Sequence, residues 1–79
     1  MYFLYILKCS DNTLYTGITT DVKRRFSEHM KGTASKYTRA KKPVKIVYTE
    51  KQKNRSTASK REAEVKKMTR RQKLLLIQM

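Results

Sequence analysis

The segment LYTGITTDVKRRFSEH, residues 14–29, combines a tyrosine, a glycine and a basic run with the only histidine of the chain. Its first half belongs to a predicted strand over residues 13–18, in which Gly17 indicates a bulge or the close approach of a backbone or ligand. Its second half belongs to a predicted helix that begins after Asp21, a typical N-cap residue, and ends near Gly32. The segment therefore predicts a strand that leads into a cationic helix.

The residues around this segment predict two further strands. Residues 2–8, YFLYILK, are aromatic and aliphatic and are followed by a Ser-Asp-Asn turn, so they predict a first strand of a hairpin. Residues 34–42 are compatible with either a short helix or a basic loop. Pro43 ends that stretch, and residues 44–49, VKIVYT, predict a third strand because they are rich in β-branched side chains.

The C-terminal third of the chain predicts helices. A helical pattern extends from Ser56 to about Lys67, and Thr69 with Gln72 resembles the capping box of a last helix. The apolar run from Leu74 to Ile77 in that helix fits either the core or a dimer patch, and we favour the core.

The length and element order predict one small α+β domain. The chain has 79 residues, which is enough for one modest core, so we expect a single domain over 1–79 with its core at about 2–68 and a C-terminal helix at about 69–78. The order ββαβα(α) predicts a small three-stranded antiparallel-type sheet flanked by helices.

The charge points to a polyanionic partner. Twenty Lys and Arg stand against six acids, a net charge of +14 that is spread over both halves of the chain. Nucleic acid is the first partner to expect, although an anionic membrane or an acidic protein satisfies the same electrostatics. The single Cys excludes a disulfide framework and a Cys-based zinc site. The apolar start is too short to span a bilayer, so we expect a cytoplasmic protein without membrane contact.

The first predicted helix places an arginine beside its apolar stripe. Val22, Phe26 and Met30 recur at i, i+4 and i+8 and predict that stripe. Arg25 and His29 are four residues apart and share one face, with Arg25 at the edge of the stripe. A guanidinium held there can present a forked donor to a phosphate. The alternative interpretation is an ordinary surface pair.

Two tyrosines and two glutamates complete the candidate chemistry. Tyr5 and Tyr15 lie on neighbouring strands, where their hydroxyls either emerge on one face or pack in the core. Glu62 lies beside the apolar side of the third predicted helix and Glu64 well away from it. An inward carboxylate is a candidate Mg²⁺ ligand, but Ser59 and Glu62 also fit a capping box if the helix starts there.

This constellation resembles the GIY-YIG nuclease domain, in particular its small stand-alone bacterial members. Phe3-Leu4-Tyr5 matches the first family motif at its Tyr, and Tyr15-Thr16-Gly17 matches the second at its Tyr and Gly. Arg25 and His29 follow Tyr15 at the spacing that the family shows. The stretch REAEVKK, residues 61–67, resembles the helix that carries the metal-binding Glu of the family.

The resemblance implies a metal-dependent endonuclease that hydrolyses phosphodiester bonds, with DNA rather than RNA as the expected substrate. Glu62 would hold one Mg²⁺ or Mn²⁺, with Glu64 as the alternative ligand. Arg25 would stabilise the charge that develops on the phosphate. Tyr5 would position or deprotonate the attacking water.

The same resemblance assigns supporting roles and shows two departures. Tyr15 and His29 would complete the hydrogen-bond network, and Gly17 would let the backbone turn tightly beside the site. The Gly-Ile of the first motif is absent here. Ile18 stands where some family members carry a Lys that helps to activate a tyrosine.

Eight bases are expected to contact the nucleic-acid backbone, where they would position the substrate without specifying its sequence. They are Lys36, Arg39, Lys41, Lys42, Lys45, Arg70, Arg71 and Lys73. The rival function is a non-catalytic basic nucleic-acid-binding module, either a degenerate nuclease fold or a ribosome- or DNA-associated protein, because phosphate neutralisation requires only Lys and Arg. A monomer is favoured, and a dimer is the alternative.

Overall fold

The computed structural model describes residues 1–78, so Met79, the last residue of the predicted domain, lies outside the described residues. Strands and helices follow the predicted order. They are β1 (Tyr2–Cys9), β2 (Leu14–Thr19), α1 (Val22–Met30), α2 (Lys36–Lys41), β3 (Pro43–Gln52), α3 (Arg55–Lys66) and α4 (Arg70–Gln78). α2 lies within residues 34–42, where the sequence is compatible with either a short helix or a basic loop. β3 is longer than the strand predicted over residues 44–49.

β1 is the central strand of the sheet. It pairs antiparallel with both neighbours in the strand order β2-β1-β3. Leu4 and Ile6 lie on one face, Tyr5 and Leu7 lie on the other, and each of the four is at most 2% exposed. Both faces of β1 are therefore covered. The strand order and pairing confirm the predicted α+β fold with a three-stranded antiparallel sheet.

α3 covers the face of the sheet that carries Leu4 and Ile6. Val65 of α3 forms a buried cluster with these two residues. The guanidinium Nε of Arg61 donates to both carboxylate oxygens of Glu50 on β3, at 3.2 and 3.0 Å. Burial raises the pKa of Glu50, but hydrogen bonds from Tyr48, Arg61 and Gln52 outweigh that effect and lower it. The resulting ion pair attaches α3 to an edge strand.

α4 contributes to the same core with half of its apolar run. Leu76 and Ile77 pack against the buried cluster, whereas the two preceding leucines are 40% and 57% exposed. The predicted capping box is confirmed, because the Thr69 N–H donates to Gln72 Oε1 at 2.9 Å and the Gln72 N–H donates to Thr69 Oγ1 at 3.2 Å. No helix within residues 1–78 has the length and apolar character that a membrane crossing requires.

α1 begins as predicted but buries a different residue at its end. The Asp21 carboxylate accepts from the Arg24 N–H at 3.1 Å, which confirms the N-cap. The predicted stripe is wrong at Met30, which is 56% exposed, whereas His29 is 1% exposed. Because each residue advances about 100° around a helix, His29 lies about 20° from Val22 and Met30 about 80° from it.

Candidate active site

The other face of the sheet gathers five of the predicted site residues. The register places Tyr5 opposite Gly17, and Tyr15 lies two positions from Gly17 on the same face of β2. α1 packs over this face and brings His29 against Tyr5, with the Arg25 charge acting on the same phenol. We call Tyr5, Tyr15, Gly17, Arg25 and His29 the Tyr-His cluster.

A chain of hydrogen bonds extends inward from Tyr5. The Tyr5 hydroxyl lies 2.8 Å from His29 Nε2, and His29 Nδ1 lies 2.7 Å from Thr38 Oγ1. The Thr38 hydroxyl donates to the Ser35 carbonyl oxygen at 3.4 Å, so we assign its oxygen as the acceptor of the His29 Nδ1–H. In this tautomer His29 Nε2 accepts from the Tyr5 O–H.

Burial sets the protonation of this pair. It raises the pKa of Tyr5 to about 12, although Arg25 acts in the opposite direction. Burial also lowers the pKa of His29, and the positive charge of Arg25 lowers it further. At neutral pH the phenol therefore carries its proton and the imidazole is uncharged, as a donor–acceptor pair requires.

The His29 pKa predicts a loss of stability in mild acid. Below its ordinary pKa of 6.5 the unfolded chain binds a proton at His29 that the folded chain resists. The free energy of unfolding should therefore be fully retained above that pH and should fall as the pH drops through the lower pKa of the folded state. Urea titrations between pH 7.5 and 5 measure this. His29→Gln should show a flatter profile, and parallel profiles for the two proteins would contradict the prediction.

Gly17 makes room for the Tyr5 ring. A Cβ atom at this position would lie 2.5 Å from the Tyr5 hydroxyl oxygen and 2.7 Å from its Cζ. The pairing of β1 with β2 continues in register through Gly17, and its φ is not positive. The expected bulge and the expected tight turn are therefore both wrong. The side chain of Tyr5, rather than a backbone or a ligand, is what comes close.

Gly17→Ala is expected to destabilise the protein by about 1–3 kcal/mol, because the added methyl must displace a buried ring. Urea unfolding measures the loss. The matched test is the double variant Tyr5→Phe/Gly17→Ala, which removes the nearest clashing atom. The two losses should be less than additive in that protein, and simple additivity would contradict the steric explanation.

Arg25 is held in place by its neighbour on α1. Its Nη1 donates to Glu28 Oε1 at 2.9 Å, and its side chain is 34% exposed. This hydrogen bond raises the pKa of Arg25. The guanidinium is therefore permanently charged, partly accessible and directed beside the phenol of Tyr5. Such a group can meet an anion that approaches from solvent.

Tyr15 is the more accessible of the two cluster phenols. It is half-buried, whereas Tyr5 is 2% exposed. Its ring packs edge-on against His29, with 5.0 Å between centroids, and lies 5.6 Å from the ring of Tyr37 on α2. Tyr15 therefore forms the boundary between the buried hydrogen-bond chain and the surface.

Glu62 and Glu64 differ in their surroundings as predicted. The Glu62 side chain is 25% exposed, and its charge adds the smallest contribution to the raised pKa of Tyr5, which is raised mainly by burial. Glu64 is 65% exposed and pairs with Arg61 at 2.9 Å. The alternative that Ser59 and Glu62 form a capping box is wrong.

The reason lies at the start of α3. Asn54 caps the helix and accepts from the Thr57 N–H at 2.9 Å, so the helix begins before Ser59. The carboxylate of Glu62 is therefore not used at a helix end. Among the ion pairs of residues 1–78, the Glu62 carboxylate contacts one cation, Lys66, whose Nζ lies 3.4 Å away.

The donor set fits a metal that needs few protein ligands. Within the described residues no three side chains of His, Cys, Asp or Glu cluster as a closed metal cage would require. Mg²⁺ commonly uses one or two carboxylates and takes its other ligands from water and substrate phosphate. The single half-exposed carboxylate of Glu62 fits that mode of binding.

The predicted backbone-contacting bases fall on two stretches of the chain. Lys36, Arg39, Lys41, Lys42 and Lys45 lie on α2 and at the start of β3, and Arg70, Arg71 and Lys73 lie on α4. Lys41 is the exception in its group, since its Nζ lies 2.9 Å from Asp11 Oδ2. Arg70 and Lys73 instead line a cleft with Tyr37.

Sequence reasoning missed three residues around the Tyr-His cluster. Thr38 and Ser35 support His29 from α2, and Tyr37 packs beside Tyr15. A local signal was available for the first two, because Ser35 is the N-cap of α2 and accepts from the Thr38 N–H at 3.1 Å. No signal in the sequence connects Tyr37 with Tyr15, which lies 22 positions earlier.

A family model and several curated proteins match almost the whole chain. The model of the GIY-YIG catalytic domain matches residues 1–74. A UPF0213 protein of Listeria innocua is 51% identical over 72 residues, covering 91% of this chain and 80% of the relative. A UPF0213 protein of Streptococcus agalactiae is 51% identical over 75 residues, covering 95% and 85%.

Two solved structures share the fold. The solution NMR structure of a UPF0213 protein from Bacillus halodurans is 42% identical with a TM-score of 0.63, covering 99% of this chain and 84% of that one. The solution NMR structure of a protein from E. faecalis is 44% identical with a TM-score of 0.67, covering 98% and 82%. The names of these proteins state no activity.

Proposed function

The chain belongs to the GIY-YIG family of catalytic domains, which implies a nuclease-type function, and on that premise we propose that it is a metal-dependent endonuclease. It hydrolyses phosphodiester bonds in nucleic acid, and we take DNA rather than RNA as its substrate. One observation carries the proposal: the Tyr5–His29 hydrogen bond, buried behind a half-exposed Tyr15 and a charged Arg25. A module that only binds phosphate has no need of such a pair.

We assign the contact with the attacking water to Tyr15 rather than to Tyr5. Burial supports this exchange, since the Tyr5 hydroxyl is occupied by His29 and its side chain is 2% exposed. Tyr15 positions the water at the surface. Tyr5 and the neutral imidazole of His29 lie behind it, where the hydrogen bond from the Tyr5 hydroxyl to Nε2 fixes the phenol beside the Tyr15 ring.

Arg25 binds the scissile phosphate and stabilises the additional negative charge of the transition state. Glu28 holds the guanidinium through Nη1, and the five N–H groups of an arginine allow it to donate to the substrate as well. Gly17 leaves room for the Tyr5 ring and so allows the ring to keep its position. In this proposal Arg25 acts on the scissile phosphate, whereas Tyr15, with the Tyr5–His29 pair behind it, acts on the attacking water.

Glu62 is the proposed ligand of one Mg²⁺ or Mn²⁺. When bound, such an ion supplies Lewis-acid stabilisation to a phosphoryl oxygen and the leaving group. The Glu62 side chain is 25% exposed, and its ion pair with Lys66 is long, at 3.4 Å. Both features support this assignment over Glu64, whose carboxylate pairs with Arg61 at 2.9 Å.

Three further assignments accompany the proposed activity. Residues 1–79 form one domain, the protein acts in the cytoplasm, and it acts as a monomer. The buried free thiol of Cys9 fits a reducing compartment. The packing of Leu76 and Ile77 against the core supports the monomer.

Nicking of supercoiled plasmid and of a branched DNA duplex tests the activity. We expect cleavage with Mg²⁺ or Mn²⁺ and none with a chelator. The single variants Tyr15→Phe and Tyr5→Phe, each purified in parallel with the wild type, are the control for a contaminating nuclease. If the activity falls with either change, the cleavage belongs to this protein. If the wild type binds both DNAs and cuts neither with any metal, the binding-module function replaces this one.

A further inference from the structure

Tyr37 is an exposed aromatic residue beside the candidate active site that the proposed reaction does not use. It lies on α2, and the residue is 39% exposed. Its ring centroid is 5.6 Å from that of Tyr15, and the two planes are inclined by 30°. Part of the Tyr37 ring therefore packs beside the residue that we assign to the attacking water, and part of it faces solvent. An accessible aromatic face is a surface on which nucleobases stack.

A cleft of about 190 Å³ opens beside this ring. Its other walls come from Leu14 at the start of β2 with the preceding Thr13, and from α4 through Arg70 and Lys73. The two bases are three positions apart on α4, so they lie on the same side of that helix. Among residues 1–78 neither has an acidic partner within 4 Å, since the ion pairs there involve other bases.

The cleft thus combines the two kinds of group that bind a nucleotide. An aromatic ring contacts the apolar face of a base, and Arg or Lys neutralises its phosphate. The pocket around Arg39 and Lys42 lacks this combination. It is lined by His29, Met30 and Pro43 and by no tyrosine.

We propose that this cleft binds one unpaired nucleotide adjacent to the scissile phosphate, with its base stacked on Tyr37 and its phosphate held by Arg70 and Lys73. The proposal rests on the proposed function, because it places the nucleotide next to Tyr15. A base inside a duplex has both faces covered by its neighbours, so only an unpaired nucleotide can present a face to Tyr37. The protein should therefore distinguish strands with an unpaired nucleotide from a continuous duplex.

Binding without cleavage tests this inference separately from the enzymatic activity. Fluorescence anisotropy in EDTA compares a labelled 12-nucleotide thymidine oligomer with a blunt DNA duplex of 12 base pairs. Tyr37→Leu keeps an apolar side chain but removes the ring, and it should weaken single-strand binding about tenfold. Tyr37→Phe keeps the ring and should stay within about twofold of the wild type. Neither change should alter duplex binding by more than about twofold.

The two cations are tested by salt dependence. Arg70→Gln/Lys73→Gln should reduce the slope of log K against log salt for the single strand by about 0.7, because the two cations hold one phosphate and each phosphate contact on a single strand contributes about 0.7. The matched control, Lys23→Gln/Arg24→Gln, makes the same change of charge on exposed positions of α1. It should change the slope by clearly less.

The inference is overturned if Tyr37→Leu binds the single strand as the wild type does, or if it weakens single-strand and duplex binding equally. Circular dichroism and thermal unfolding show whether Tyr37→Leu remains folded. If it does not, Tyr37→Trp provides the test, because a larger ring should bind the single strand at least as tightly, and weaker binding contradicts stacking. Since no step of this assay requires cleavage, failure of the proposed nuclease activity gives a different result: tight, Tyr37-dependent binding without nicks.

Discussion

Glu62→Gln should lower the metal-dependent cleavage rate at least about 10³-fold. A bound divalent cation stabilises the transition state by several kcal/mol, and each 1.4 kcal/mol corresponds to a factor of ten in rate. Glutamine preserves the shape of the side chain and removes only the charge. Because Glu62 pairs with Lys66 alone among residues 1–78, at 3.4 Å on a helix surface, the free energy of unfolding should change by less than about 1 kcal/mol.

Glu64→Gln is the matched control for this prediction. It makes the same chemical change two positions away on α3, at a carboxylate that is 65% exposed and already paired with Arg61. Its cleavage rate should stay within about threefold of the wild type. Titration with Mn²⁺, followed by calorimetry in the absence of DNA, adds a readout that does not depend on cleavage. Glu62→Gln should weaken that binding, and Glu64→Gln should not.

Two results would contradict the assignment of Glu62. In the first, Glu62→Gln cuts plasmid at the wild-type rate. In the second, Glu64→Gln loses cleavage and Mn²⁺ binding while Glu62→Gln keeps both. The second result would mean that the metal is held on the exposed side of α3, away from the Tyr-His cluster.

Arg25→Ala should lower the cleavage rate about 10²- to 10³-fold, the usual effect of removing one preorganised donor to a developing charge. The chemical step should account for most of the loss, so it should persist when the DNA concentration is saturating. Arg25→Lys keeps the charge but not the planar fork, and it should recover only a small part of the rate. Single-turnover kinetics separate this effect from weaker binding.

Arg24→Ala is the control for Arg25→Ala, because it removes the same charge from the adjacent and exposed position of α1. It should lower DNA affinity slightly and leave the single-turnover rate within about threefold. If Arg24→Ala and Arg25→Ala reduce the rate equally, the helix contributes only diffuse positive charge. The function of Arg25 would then be the one common to most of the 20 Lys and Arg residues of the chain.

The extent of sequence-based prediction follows the range of the interactions involved. Asp21 at the start of α1 and the Thr69–Gln72 pair at the start of α4 were both predicted, because each cap is formed by residues at most three positions apart. The stripe on α1 was wrong at Met30 because an i, i+4, i+8 spacing drifts around the helix. The burial of His29 instead depends on Tyr5, which lies 24 positions away.

Gly17 shows the same limit at the candidate site. Its presence in a strand indicated a close contact, but the identity of the neighbour follows only from the register that opposes it to Tyr5. The separation of Tyr5 from Tyr15 is similar. Both are strand tyrosines in the sequence, and only the packing of α1 against the sheet makes one buried and leaves the other half-exposed.

The order of strands and helices, the caps at Asp21 and Thr69 and the strongly basic charge follow from the sequence alone. The elements and these caps depend on side chains near one another along the chain, and the charge depends only on composition. The bonds of His29 to Tyr5 and Thr38, and the cleft that Tyr37 shares with Arg70 and Lys73, arise only in the tertiary structure. These contacts join different elements of the fold. Their geometry follows from strand register and helix packing, which no local pattern of residues encodes.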